Sequence, residues 1–140
     1  MPIGPIEIGG LHVTGRIDRV DRTPDGHVVV DYKLGSAATQ AAKLREAGDT
    51  QLQLPIYAAA VRAERGGAID AAFLSVRDAE ARRLGADKTA DIVERVLPAR
   101  LAELGERLRT GAFEVAPHEC RGCDFRTVCR VVHLSEEDEL

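Results

Sequence analysis

The run His27–Leu34 (HVVVDYKL) constrains this chain more than any other segment. Val28-Val29-Val30 has no polar alternation, which predicts a central strand covered on both faces. Before it stand Thr23-Pro24-Asp25-Gly26, with the residue types of a tight turn, and Leu11–Arg22, which reads as a preceding strand. Folding the two strands back on that turn brings residues whose numbers sum to about 49 face to face. Asp18 then lies opposite Asp31. A bulge at Gly26 slips the pairing by one and leaves the two carboxylates near neighbours. In either geometry their Cβ atoms come within about 5–8 Å of each other.

Two like charges at that separation destabilise a hairpin unless something neutralises them. A divalent cation is the simplest candidate, because Mg²⁺ takes one or two carboxylates plus water and substrate phosphate. Lys33 follows Asp31 by two positions, so both project from one face of the strand. Two acids that hold a cation, with a lysine ammonium beside them, supply what phosphodiester hydrolysis requires: an activated water and compensation of charge on the phosphorus. The competing reading leaves Asp18 and Asp31 solvated or paired with Arg16, Arg19 and Lys33, and for an isolated Asp-x-Lys it is the better one. The position of Asp31 and Lys33 at the end of a wholly apolar strand favours function, since buried strands seldom end in charged pairs.

Elsewhere, Ile3–Ile8 reads as a short strand followed by a turn at Gly9-Gly10. Ser36–Gly48 is small and polar, a loop with a short helix. Asp49 or Thr50 caps a helix that runs to about Arg65 and ends at Gly66-Gly67, with Pro55 early in it. Ala68–Val76 is a further strand. Thr89–Arg109 has apolar residues near helical spacing and reads as one long amphipathic helix kinked at Pro98. The order of elements predicts an α/β fold. At 140 residues the chain fits one domain. Its formal net charge of −4 argues against a general nucleic-acid coat protein but not against a nuclease, whose metal site must itself be acidic. No apolar run approaches the roughly 18 residues of a membrane span, and no secretory leader is visible, so a cytoplasmic protein without membrane contact is the expectation.

Four segments in order, GRIDRVD (Gly15–Asp21), VVVDYKLG (Val28–Gly35), QLPIYA (Gln53–Ala58) and CRGCDFRTVCR (Cys120–Arg130), closely resemble the RecB-type exonucleases of the PD-(D/E)xK, restriction-endonuclease-like superfamily. The nearest look-alikes are the nuclease domains of AddB-type helicase–nucleases and the CRISPR-associated RecB-like exonucleases. The resemblance implies a restriction-endonuclease-like core at residues 1–115, with a central mixed sheet flanked by helices, and a cysteine-rich tail at residues 116–140. It implies that Asp18, Asp31 and the backbone carbonyl of Tyr32 hold Mg²⁺ or Mn²⁺ and that Lys33 is the catalytic lysine. Gln53 and Tyr57 match the motif that contacts DNA or orients the site, and four residues apart they share a helix face. Gln51 is the alternative to Gln53. The bland reading packs Tyr57 with Leu54 and Val61. The implied activity is exonucleolytic cleavage of single-stranded DNA ends in double-strand-break repair, with a helicase partner. The alternative is an inactive nuclease-fold module for DNA-end binding or subunit contact.

All three cysteines lie between Cys120 and Cys129, an odd number that reads as metal or cluster ligation rather than a disulfide framework. By resemblance, Cys120, Cys123 and Cys129 join a distant N-terminal cysteine around a [4Fe–4S] cluster. No cysteine precedes Cys120, and no histidine-bearing helix precedes Gly15; His12 is too near Asp18 to fill that place. The expectation is therefore a C-terminal piece of a larger protein. Zinc is the competing metal, held by the three cysteines with His118 or His133.

Overall fold

A computed structural model describes residues 1–112 and Val128. By contacts the chain divides into Met1–Glu106 and Arg107–Leu140, and the architecture below is that of the first unit. Pro2–Ile8 (β1) and Leu11–Arg16 (β2) form a two-stranded antiparallel sheet joined through Gly9-Gly10. Arg19–Thr23 (β3), Gly26–Lys33 (β4), Ala68–Ser75 (β5) and Glu80–Arg83 (β6) form a second sheet in that spatial order. Its pairings are antiparallel, parallel and antiparallel, so the sheet is mixed. The parallel step from β4 to β5 needs a crossover. Ala37–Arg45 (α1) and Gln53–Arg65 (α2) supply it and pack on the sheet.

The hairpin arithmetic holds. Pairs from Thr23 with Gly26 to Arg19 with Val30 keep the expected sum without a register shift, so the turn is the tight two-residue form and not the bulge. Gly26 is required there, because a Cβ at that position would stand 2.0 Å from the carbonyl oxygen of Ala68. Val28, Val29 and Val30 are all buried, as the unbroken apolar run predicts. Val29 joins Ile69, Ala71 and Phe73 of β5 beneath Leu54, Ala58 and Val61 of α2. Val28, Val30 and Ala72 occupy the other face.

Four expectations need correction. Leu11–Arg22 is not one strand: the chain breaks at Ile17-Asp18 and passes from the small sheet to the large one. The cause is burial of Ile17, which is 0% exposed within the main core, while its backbone exchanges hydrogen bonds with Met1. Neither Asp49 nor Thr50 caps α2. Asp49 pairs with Arg100 and Thr50 donates to Glu46, so the helix starts behind Leu52 with no side-chain cap. Pro55 thus falls in the first turn, where its missing N–H has no partner to lose.

The C-terminal helix begins earlier, at Ala86, and is not uniform. Ala86–Asp91 (α3) leads into a π-helical turn at Ile92–Val96 and then Leu97–Thr110 (α4). Leu97 N–H reaches Ile92 O, one residue beyond the α-helical partner. Pro98 sits two positions past this turn; a proline ring clashes with the carbonyl four residues before it, here that of Glu94, and the widened turn relieves the clash. Finally, β6 has the sequence EARR, with no hydrophobic alternation to reveal it. It forms because the open edge of β5 pairs with it. The short helix expected within Ser36–Gly48 is α1, whose first turn is capped by Ser36 Oγ accepting from Thr39 N–H. Among the described residues, no helix is long and apolar enough to cross a membrane.

Candidate active site

The site stands where β4 ends. Strand alternation sends Asp31 and Lys33 to the face on which α2 packs, with exposed Tyr32 between them on the other. Asp31 is only 2% exposed. Its Oδ2 lies 2.8 Å from Lys33 Nζ. Gln53, the first residue of α2, closes a triangle with that pair: its Nε2 donates to Asp31 Oδ1 at 2.7 Å, and its Oε1 accepts from Lys33 Nζ at 2.9 Å. One turn further along α2, Tyr57 Oη accepts from the same Nε2 at 3.1 Å. The Tyr57 ring also packs against the main core, so the packing reading and the polar contact are both true of it. Gln51 is not part of this cluster; its backbone pairs with Ala47.

Asp18 reaches the site from the break before β3, one pair beyond Arg19 and Val30. It is exposed, and its Oδ2 accepts from Tyr32 N–H at 3.4 Å. Burial pushes the Asp31 carboxyl above its ordinary pKa; the Lys33 ammonium opposes the rise, and the Asp18 carboxylate adds to it. Ionised Asp31 is thus held at a cost that a cation placed between the two acids would reduce.

Asp31 Oδ2 is a buried oxygen that has the ion-pair approach of Lys33 but no well-aligned hydrogen bond. An acceptor with spare capacity beside a second carboxylate fits a divalent cation. Among the described residues no third His, Cys, Asp or Glu joins them. Two carboxylates and the Tyr32 carbonyl suit an ion that keeps several waters rather than one caged by protein.

Several supporting residues escaped the sequence reading. Lys33 Nζ lies 5.4 Å from the centroid of the Phe73 ring, whose negative face favours an ammonium. Ser75 Oγ donates to Gly35 O and accepts from Asp78 N–H, while the Asp78 carboxylate accepts from Ala37 N–H. Together they fix the chain as it leaves Lys33. All three come from β5 or the turn after it, roughly 40 positions downstream, and only the parallel register could have exposed them. Cys120, Cys123, Cys129, His118 and His133 lie outside the described residues.

A mixed α/β sheet whose central strand ends in a buried acid and a same-face lysine, with a second acid across the hairpin, is compatible with the nuclease class of fold. The chain belongs to the PD-(D/E)XK nuclease superfamily, whose family model matches residues 1–130. Members of that superfamily hydrolyse phosphodiester bonds and typically use divalent metals, and the fold is accordingly restriction-endonuclease-like. No curated protein and no solved structure matches the chain.

Proposed function

We propose that this chain is a metal-dependent DNA exonuclease of RecB type, the nuclease part of a helicase–nuclease that processes single-stranded ends in double-strand-break repair. The observation that carries the reading is the closed triangle of Asp31, Lys33 and Gln53 at the end of a buried strand, with Asp18 beside it. Asp18, Asp31 and the Tyr32 carbonyl are the ligands for Mg²⁺ or Mn²⁺. A divalent cation held there supplies Lewis-acid stabilisation of the phosphate and lowers the pKa of the attacking water.

The protein's own contribution is positioning and charge. Lys33 donates to a non-bridging phosphate oxygen or to the attacking water, and its ammonium offsets the negative charge that grows on the phosphate in the transition state. Gln53 holds Asp31 and Lys33 at fixed separation, so neither has to reorganise as that charge develops. Tyr57 fixes the Gln53 amide in turn. Cys120, Cys123 and Cys129 supply thiolates to a [4Fe–4S] cluster, with zinc as the competing occupant. Iron with labile sulfide, against zinc alone, in anaerobically purified protein distinguishes them.

The test of the activity is Mg²⁺- or Mn²⁺-dependent cleavage of end-labelled single-stranded DNA. Lys33→Ala should reduce it by at least about 100-fold, the scale of a lost electrostatic donor. Cleavage that survives the substitution in clean protein overturns the mechanism. Salt-sensitive DNA binding without turnover in excess Mn²⁺ would favour an inactive module for DNA-end binding.

A further inference from the structure

The register of the sheet draws a row outward from the reaction centre. Asp31 pairs with Phe73, and Phe73 pairs with Arg82 on the edge strand β6. Laterally paired residues project from the same face, so Arg82 shares the face of Asp31 two strand spacings away, about 10 Å between backbones. Arg82 is not isolated there. With Arg83 of β6, Arg45 of α1 and Lys88 of α3 it lines a groove of about 210 Å³ to which no acidic side chain contributes.

This is the reverse of the average for a chain of formal net charge −4. The four basic residues do not act alike. Arg82 is held by Glu80 at 2.8 Å, whereas Arg83, paired with Ala72, projects from the opposite face and gives its guanidinium to Asp70 at 2.7 Å, so it borders the groove without offering a cation to it. Arg45 and Lys88 are exposed, on separate elements, with no ion-pair partner among the described residues. Arg82 Nε is buried and has no hydrogen-bond partner, a donor that folding alone leaves unpaired. Converging cations and an unpaired guanidinium donor match one ligand chemistry, the phosphodiester oxygens of a polyanion.

We propose that the groove between α1 and β6 is a phosphate subsite, which grips the backbone of the nucleic-acid strand a few nucleotides from the bond presented to Asp18, Asp31 and Lys33. The identity of the polyanion rests on the nuclease reading; the groove itself does not. The contacts are to phosphate, so they position the strand and carry no base sequence.

The test uses the full chain and the double variant Arg45→Gln/Lys88→Gln, whose exposed side chains leave the core untouched. Binding of a fluorescent single-stranded oligonucleotide is measured in chelator over a range of salt, and hydrolysis is measured separately with Mg²⁺. Loss of two phosphate contacts should reduce the slope of log affinity against log salt by about 1.4, and KM should rise by a larger factor than kcat falls. An unchanged slope and affinity in the double variant overturns the subsite, as does a wild-type chain that does not bind the oligonucleotide. Binding that weakens as expected, with no hydrolysis by either protein, supports the groove and overturns the nuclease reading instead.

Discussion

Gln53→Met is the substitution that most directly tests how the site is held. Methionine keeps the length and much of the volume of glutamine but removes the amide's contact with Tyr57 and both of its hydrogen bonds to charged groups. Those bonds run to charged partners, 2.7 Å to Asp31 and 2.9 Å from Lys33. Hydrogen bonds to charged groups contribute about 1.5–3 kcal/mol each, and breaking one here leaves a buried carboxylate oxygen unpaired. Lys33 and Asp31 still face each other at 2.8 Å, so the pair persists and only its orientation is freed. The expected loss is therefore that of a supporting residue, about 10–100-fold in kcat or in metal affinity, equivalent to about 1.4–2.7 kcal/mol. KM for DNA should change little. Tyr57→Phe removes only the 3.1 Å contact to Gln53 Nε2 and should cost about tenfold or less. Because Tyr57 acts through Gln53, the double variant should be no slower than Gln53→Met alone. The assay is initial rate against Mg²⁺ concentration on labelled single-stranded DNA. A fully active Gln53→Met, or a defect confined to KM, refutes the positioning role. Additive losses in the double variant refute the relay through Tyr57.

Two further expectations concern stability. Asp31 has a raised pKa in the fold, so the folded state binds its proton more tightly than the unfolded state does. Its ionisation therefore opposes folding above the raised value, and the penalty is relieved as pH falls through that value toward the ordinary carboxylate range. Asp31→Asn should accordingly melt no lower than wild type in chelator at neutral pH, while losing both activity and the rise in Tm on adding Mg²⁺; a clearly lower Tm in chelator contradicts the sign. Ile17→Ala removes a side chain with 0% exposure at the break that presents Asp18, and urea unfolding should report a loss of about 2–5 kcal/mol. A loss below about 1 kcal/mol means that the site collapses around the cavity and that Ile17 does not anchor the break.

Local chemistry alone determined the centre of the site. Period-two alternation put Asp31 and Lys33 on one face, and the two-residue turn set the register that aligns Asp18 with Asp31. Both rules act within about 20 residues and need no partner element, and this is why they could be read along the chain. The order of the motifs gave the superfamily in the same way, and the family model agrees with it. Tertiary structure decided the rest. Nothing local shows that Ile17 is drawn into the core and cuts one strand into two, or that EARR becomes an edge strand. The parallel pairing of β4 with β5 brings Phe73 beside Asp31, beneath Lys33, and aligns Arg82 with both. The packing of α2 on that sheet brings the Gln53 amide to Asp31 and Lys33. Each of these depends on which buried faces meet across long loops, a choice made by the whole core and encoded in no single segment.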